Sequence, residues 1–375
     1  MWKFGRSKAH KDLIDSNSVE IDEPQLEESD SGSFQGNEGA LPSDGESTNS
    51  VAKRIGFVSL LFLFSIYLLG VYWSFEPSLF EVNKDEAYVT QGQSKQFVVG
   101  HTTLATTEKI ATTLLDKNGG YLSNDILPPS LFLDNIPAWE FGVVVQVRDI
   151  ASALRNDMSR SQSQSIENLD LSEAEPLFNY SHSRWFYPST EAKFNEGVNK
   201  LRDFRKNLAN VERTEAQFFA RADNLNAWLV LVNKRLGSLS QRLSASVGQE
   251  RLNTDLSGDD AASQSTQTAS QFMVKTPWLK IDDTFYEARG ACWALIHLLK
   301  AIQVDFEPVL EKKNAKASLA QIIRELEATQ ETVWSPMILN GSGFGGLANH
   351  SLVMANYISR ANAGLIDLRE LLTKG

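Results

Sequence analysis

The sequence predicts an all-α protein: a single transmembrane helix followed by an elongated antiparallel multi-helix bundle with coiled-coil-like heptads. Three observations carry that expectation. One uncharged apolar run extends from Ile55 to Trp73, a series of apolar stripes at helical 3-4 spacing follows it, and strand-like runs are nearly absent. At ~1.5 Å rise per residue the apolar run spans ~28 Å, close to the ~30 Å hydrocarbon core of a bilayer.

A buried core helix usually has a polar face, and Gly56, Ser59, Ser65 and Gly70 do not make one. Tyr67, Tyr72 and Trp73 crowd the distal end of the run, as an interfacial aromatic belt does. A cleaved signal peptide fits poorly, because a long polar stretch precedes the run, the run exceeds an h-region and no A-x-A-like site follows. Lys53 and Arg54 stand directly before Ile55, while Glu76 and Glu81 follow Trp73. By the positive-inside rule the N-terminus is then cytoplasmic and the chain beyond about residue 76 is not. The expected division is an acidic cytoplasmic tail over 1–54, a membrane helix over 55–73 and an extracytoplasmic helical domain over 74–375. The lipid bilayer is the first partner this implies, with Lys53, Arg54, Ile55 and Trp73 marking the anchor.

The formal net charge is −11, and acid is concentrated in the tail: between Asp12 and Glu46 every charged residue is Asp or Glu. With Ser, Gly and Asn interleaved, that segment has too little apolar surface to offset backbone ordering and is expected to be disordered. The first residues, MWKFGRSKAHK, are basic with two aromatics and suit contact with anionic lipid. No basic stripe interleaved with aromatics appears in the large domain, so nucleic acid is not an expected partner. The one cysteine, Cys292, allows no intramolecular disulfide, and the domain must be held by packing.

Stripes organise that domain. Leu201, Phe204, Leu208, Val211, Glu215, Phe218, Ala222, Leu225, Leu229, Val232, Leu236, Leu239 and Leu243 keep 3-4 spacing, which predicts one continuous long helix. Phe219, Trp228 and Leu231 lie off that seam and also require burial, so the helix belongs in a bundle. A second stripe runs from Val274 to Phe306, with Thr276 and Pro277 as its expected N-cap and first turn and Pro308 as its stop. A third carries Ala315, Leu319, Ile322, Leu326 and Val333, and a fourth Met354, Ile358, Ala361, Leu365, Leu368 and Leu372. Earlier, Trp139, Val143, Val147, Ile150, Leu154 and Met158 predict another helix, and Thr103 to Lys117 a shorter one closed by Gly119 and Gly120. The polar stretches Ser159–Tyr187 and about 246–272 read as solvated connections, the second a long flexible loop.

Chemical signatures are sparse. Gly341-Ser342-Gly343-Phe344-Gly345-Gly346 satisfies G-x-G-x-x-G, but no strand precedes it, and a dinucleotide fingerprint needs a βαβ unit. No cofactor is expected, and the loop reads as an interhelical turn. No H-x-x-x-H, H-E-x-x-H or paired C-x-x-C occurs, so no metal site is expected. Neither G-x-S-x-G nor S-x-x-K appears in the domain, Cys292 falls on an apolar stripe, and no catalytic residue is assigned. The remaining candidates for a ligand or partner site are Glu287 and Arg289, off the second stripe, with Asn340, Asn349 and His350 around the glycine-rich turn. Capping and interhelical ion pairs are the plainer reading of the same residues.

Particular strings carry a resemblance: Trp139-Glu140-Phe141, Ser159 to Ser165, Leu236 to Ser246, Phe285 to Gly290 and Trp334 to Gly341. Together they resemble a bacterial family, domain of unknown function 2333, over the anchor and everything after it. The resemblance implies a proteobacterial inner-membrane protein, with no family active site to transfer. The membrane run, the heptad stripes and the missing catalytic signatures give the expected role: a structural or protein-interaction module of the cell envelope, displayed in the periplasm, with an envelope protein or a second copy as partner. Two alternatives are a sensory ligand-binding domain of a signalling system and an envelope polymer hydrolase using carboxylates from several helices.

Overall fold

Charge-free length and apolar periodicity build the helices of the computed structural model, which describes residues 45–91, 94–162, 164–210, 215–252, 271–335, 337–342 and 345–374. The chain divides into two units, Met1–Phe57 and Val58–Gly375. In the first, helix α1 (Gly45–Trp73) begins upstream of Ile55, because a helix nucleated in an apolar run propagates at one hydrogen bond per added residue. The acidic tail as far as residue 44 lies outside the described residues.

The second unit continues α1 and adds two short ribbons and nine helices among the described residues. Strands β1 (Tyr88–Gln91) and β2 (Ser94–Phe97) pair antiparallel, Tyr88 opposite Phe97. Helices α2 (His101–Asp116) and α3 (Asn135–Ala153) follow, and α3 closes in a π-turn over Leu154–Met158. Next come α4 (Leu169–Phe178), α5 (Thr190–Leu208) and α6 (Ala222–Ser244). Strands β3 (Gln249–Leu252) and β4 (Gln271–Val274) form the second antiparallel ribbon. The chain ends with α7 (Ile281–Asp305), α8 (Glu307–Lys312), α9 (Lys316–Glu327) and α10 (His350–Thr373).

Helix α7 is the axis of the bundle. From Gly290 to Leu299 every residue is buried, because the stretch GACWALIHLL is apolar on all faces apart from His297. Helix α3 crosses it closely: a Cβ on Gly142 would stand 2.1 Å from the Glu287 carbonyl oxygen, and one on Gly290 2.0 Å from that of Trp139. The Trp139 and Trp293 rings meet at 5.2 Å. At the far end Phe218 packs edge-on against Phe306, and the Phe219 N–H bonds the Met158 carbonyl at 2.7 Å, so α3 and α7 run parallel. Helix α2 runs against them. Its first turn is capped by Asp305, which accepts from the Thr103 N–H and Oγ1 at 2.6 Å each, and its last turn reaches Glu140 through Lys117. Helix α10 lies antiparallel to α6, with Asn233 bonded to Asn362 and Ser240 to Ser359.

The expected stripes fill this core. Trp139 through Met158, Ala315 through Leu326 and Met354 through Leu372 are buried at the positions their spacing marked. Four expectations are corrected. The span Leu201–Leu243 is two helices, α5 and α6, because residues 215–221 leave the helix for tertiary hydrogen bonds: the Glu215 carbonyl accepts from Asn168, and the Phe219 N–H donates to the Met158 carbonyl. The second stripe begins its helix at Ile281, after the one-turn 3-10 segment Trp278–Lys280, so Thr276 and Pro277 are not its cap. Within Ser159–Tyr187 lies α4, N-capped by Asn168, which buries Leu171, Ala174 and Phe178. Of the loop expected over 246–272, the ends form β3 and β4, and residues 253–270 lie outside the described residues.

Candidate functional site at the foot of the bundle

The C-terminal end of α1 meets the bundle at the loop before α3, an end called the foot below. Tyr72 donates from its hydroxyl to Asn118 Oδ1 at 3.1 Å. Trp73 lies on Gly119, whose φ of 83° suits glycine and whose Cβ, if present, would come within 2.7 Å of the indole. Gly70 is the buried residue of the apolar run, covered by Pro129 and Leu133.

Beyond Trp73 the chain is strapped along α7. Arg289 Nε meets Glu76 Oε2 at 2.6 Å, and its two Nη atoms donate to the carbonyls of Thr329, Gln330 and Glu331 at 2.8–3.1 Å. One guanidinium thus joins the segment after α1, helix α7 and the end of α9, matching its planar fork to a carboxylate and three carbonyls. Burial pushes the Glu76 carboxyl above its usual range while Arg289 pulls it back. One turn along, Trp293 Nε1 donates to the Ser78 carbonyl at 3.3 Å. A further turn on, the Phe80 N–H donates to His297 Nε2 at 3.0 Å, and Nδ1 of the same ring faces the Trp293 carbonyl at 2.7 Å. Those partners assign the neutral tautomer with the proton on Nδ1, and burial lowers the imidazole to about 4. Phe80 stacks on that ring at 3.7 Å and takes Lys109 on its other contact, 4.2 Å from the centroid.

Glu140 anchors the neighbouring loop. Fully buried, it pairs with Lys117 at 2.6 Å and accepts from the N–H groups of Leu122 and Ser123 and from the Ser123 hydroxyl. Burial raises its carboxyl, opposed by Lys117 and these donors. Among the clefts beside this region, two bring titratable groups next to aromatic rings. One, of about 530 Å³, is lined by Ser74, Glu76, Tyr286, Arg289 and Val333. Its charged groups neutralise each other. The other, of about 400 Å³, holds Asp125 and Glu191 beside Trp73 and Trp185. Asn124 donates to Glu191 at 2.7 Å, and partial burial, with smaller help from Glu191, raises the exposed Asp125.

The candidates read from the sequence fall in different places. Lys53, Arg54 and Ile55 are exposed on α1, and Trp73 is half-buried at the foot. Glu287 forms a bidentate pair with Arg242 of α6 at 2.5 and 2.6 Å, while Arg289, two residues on, turns to Glu76. Asn349 N-caps α10 through the Leu352 N–H at 2.9 Å and donates to the Gly341 carbonyl. His350 Nδ1 accepts from the Leu339 N–H at 3.0 Å, and Asn340 bridges antiparallel to Asn349. Glu287, Arg289 and the Asn340–His350 turn therefore have separate partners; residues 343 and 344 of that turn lie outside the described residues. Among the described residues no group of three or more His, Cys, Asp or Glu is placed to hold a metal ion. Glu76, Glu140 and His297 were invisible as a set in the sequence, since the Glu76–Arg289 pair closes over more than two hundred residues. An acid directly after the stripe residue Trp139 was the one local signal.

No curated protein and no solved structure matches the chain. The family model described as an uncharacterized protein conserved in bacteria, domain of unknown function 2333, matches residues 46–375, a span that takes in α1, the strap and the whole bundle, and the chain belongs to that family.

Proposed function

We propose that this is a single-pass protein of the bacterial inner membrane, N-terminus cytoplasmic, whose periplasmic bundle serves as a structural or protein-interaction module of the envelope. The observation that carries the reading is the strap: Tyr72, Trp73, Glu76, Ser78 and Phe80 are each fixed to the bundle, so a force or partner acting on the bundle acts on the end of α1. The segment Ser50–Trp73 is long and apolar enough to cross a membrane, with mean hydropathy 2.2, and Lys53 and Arg54 precede its apolar run. Alkaline phosphatase fused after residue 374 should be active and the same fusion before residue 45 inactive; the reverse pattern overturns the topology. Affinity capture of the full chain from gently solubilised membranes should return a stoichiometric envelope partner or a second copy, and return of neither removes the module reading.

A second reading, hydrolysis of an envelope polymer, is favoured by Asp125 and Glu191 sharing one cleft with two tryptophans. Purified full-length protein that releases soluble fragments from isolated cell-wall sacculi, and loses that activity in Asp125→Asn, would support it; no release would end it.

A further inference from the structure

Outside α1, the exposed tryptophans among the described residues are Trp185, Trp278 and Trp334, at 58, 79 and 94 % exposure. All three lie at the foot. Trp185 shares a cleft with Trp73, Trp278 opens the segment leading into α7 beside the start of α3, and Trp334 follows Val333, which lines the cleft against Ser74. Between them the loop before α3 presents Leu127, Leu131 and Phe132 at 62–74 % exposure. The opposite end, the crown where Met158, Phe218 and Phe306 lie, exposes no tryptophan among the described residues: its exposed large apolar side chains are Ile166 and Leu169 with Tyr88 and Phe97 of the β1–β2 ribbon, whose rings meet edge-on.

We infer that the foot is a lipid-contact collar: the 126–132 loop with Trp185 and its neighbours sits in the headgroup and upper acyl region of the same bilayer that α1 crosses. The inference rests on the reading of α1 as a membrane span. Pro129 and Leu133 cover Gly70, which lies three residues inside Trp73, or ~4.5 Å down the helix axis. A loop packed on the span at that depth is within the ~5–10 Å over which interfacial elements bury their apolar faces. The collar is continuous with the apolar surface of α1, and its composition, tryptophans among Leu and Phe, is that of a membrane interface, where a ring with one polar edge is favoured. The loop is held in place from inside by Glu140, which fixes Lys117, Leu122 and Ser123 at its start, so the exposed side chains project from an ordered scaffold.

The test is site-directed spin labelling of the full chain in vesicles of phosphatidylethanolamine and phosphatidylglycerol, with Cys292→Ala as background. Nitroxides are placed at Phe62→Cys in the span, Leu127→Cys, Phe132→Cys and Trp185→Cys in the collar, and Ile166→Cys at the crown. Collisions with oxygen and with a water-soluble nickel chelate are then compared. The label at 62 should be in lipid, those at 127, 132 and 185 should lose nickel collisions several-fold relative to 166 while keeping oxygen collisions, and 166 should be aqueous. If 62 is in lipid but the three collar labels match 166, the collar is overturned and the span stands. Loss of both collisions with spin–spin broadening at 127 or 132 would mean a second copy covers the loop, which also overturns it. An aqueous label at 62 removes the span and the collar together.

Discussion

His297 is the residue whose chemistry most depends on its surroundings. Its Nε2 accepts the Phe80 N–H, so a proton there would meet a donor, and burial adds to the penalty. With the folded value near 4 and an unfolded value near 6.5, the unfolded chain binds the proton first. Stability from the neutral ring is therefore complete above pH 6.5 and is lost as pH falls toward 4, by about 3 kcal/mol. Urea unfolding in detergent at pH 7 and at pH 4 should show that loss, and His297→Gln should flatten it at the cost of lower stability at pH 7. Cys292 is the opposite case. Burial pushes its thiol up to about 12, so a maleimide should label it only after denaturation. Labelling of the folded protein within minutes would contradict the closed core around α7.

At the scale of elements, the α3–α7 crossing depends on two glycines. Neither the Glu287 nor the Trp139 carbonyl can retreat from a new Cβ without moving a helix. Gly142→Ala or Gly290→Ala should each cost about 2–3 kcal/mol or more, read as a lowered urea midpoint. Gly237 is a contrast within α6: its nearest neighbour would be Asn362 Nδ2 at 3.6 Å, an ordinary contact, and Gly237→Ala should raise stability by about 0.5–1 kcal/mol. Spacing alone could not separate these glycines, since all three lie in helical patterns and only the partner surface differs. The same limit explains the break between α5 and α6. The 3-4 pattern persists through Glu215, Phe218 and Ala222, yet Phe218 is used on Phe306 and the Phe219 N–H on Met158, contacts that a continuous helix would forfeit. Helix α4 was hidden for the converse reason: its Leu171, Ala174 and Phe178 form a stripe too short to stand out in a polar stretch.

For the whole molecule, Arg289 is the joint between the segment after α1 and the bundle. Arg289→Ala leaves Glu76 without its cation and three carbonyls without donors, which should cost about 3–5 kcal/mol. Limited proteolysis of the reconstituted protein should then cut between residues 74 and 80 well before the bundle is degraded. Unchanged protection of that segment would show that Trp293 and His297 hold the strap unaided. The candidate site was legible only in parts: Glu287 and Arg289 stand out as lying off the apolar stripe, and Asn340, Asn349 and His350 as bracketing the glycine-rich turn, but their partners lie on other helices or across that turn.

The apolar run Ile55–Trp73, the stripes of α3, α9 and α10 and the family strings could be read directly, because periodicity and transfer free energy are properties of short windows of chain. What the tertiary structure decided is where those stripes meet: the parallel α3–α7 crossing, the break after Leu208, and the closure of Glu76 on Arg289. Each is a contact between residues far apart in sequence, chosen by shape and by the need to satisfy buried polar groups, and no local pattern encodes that choice.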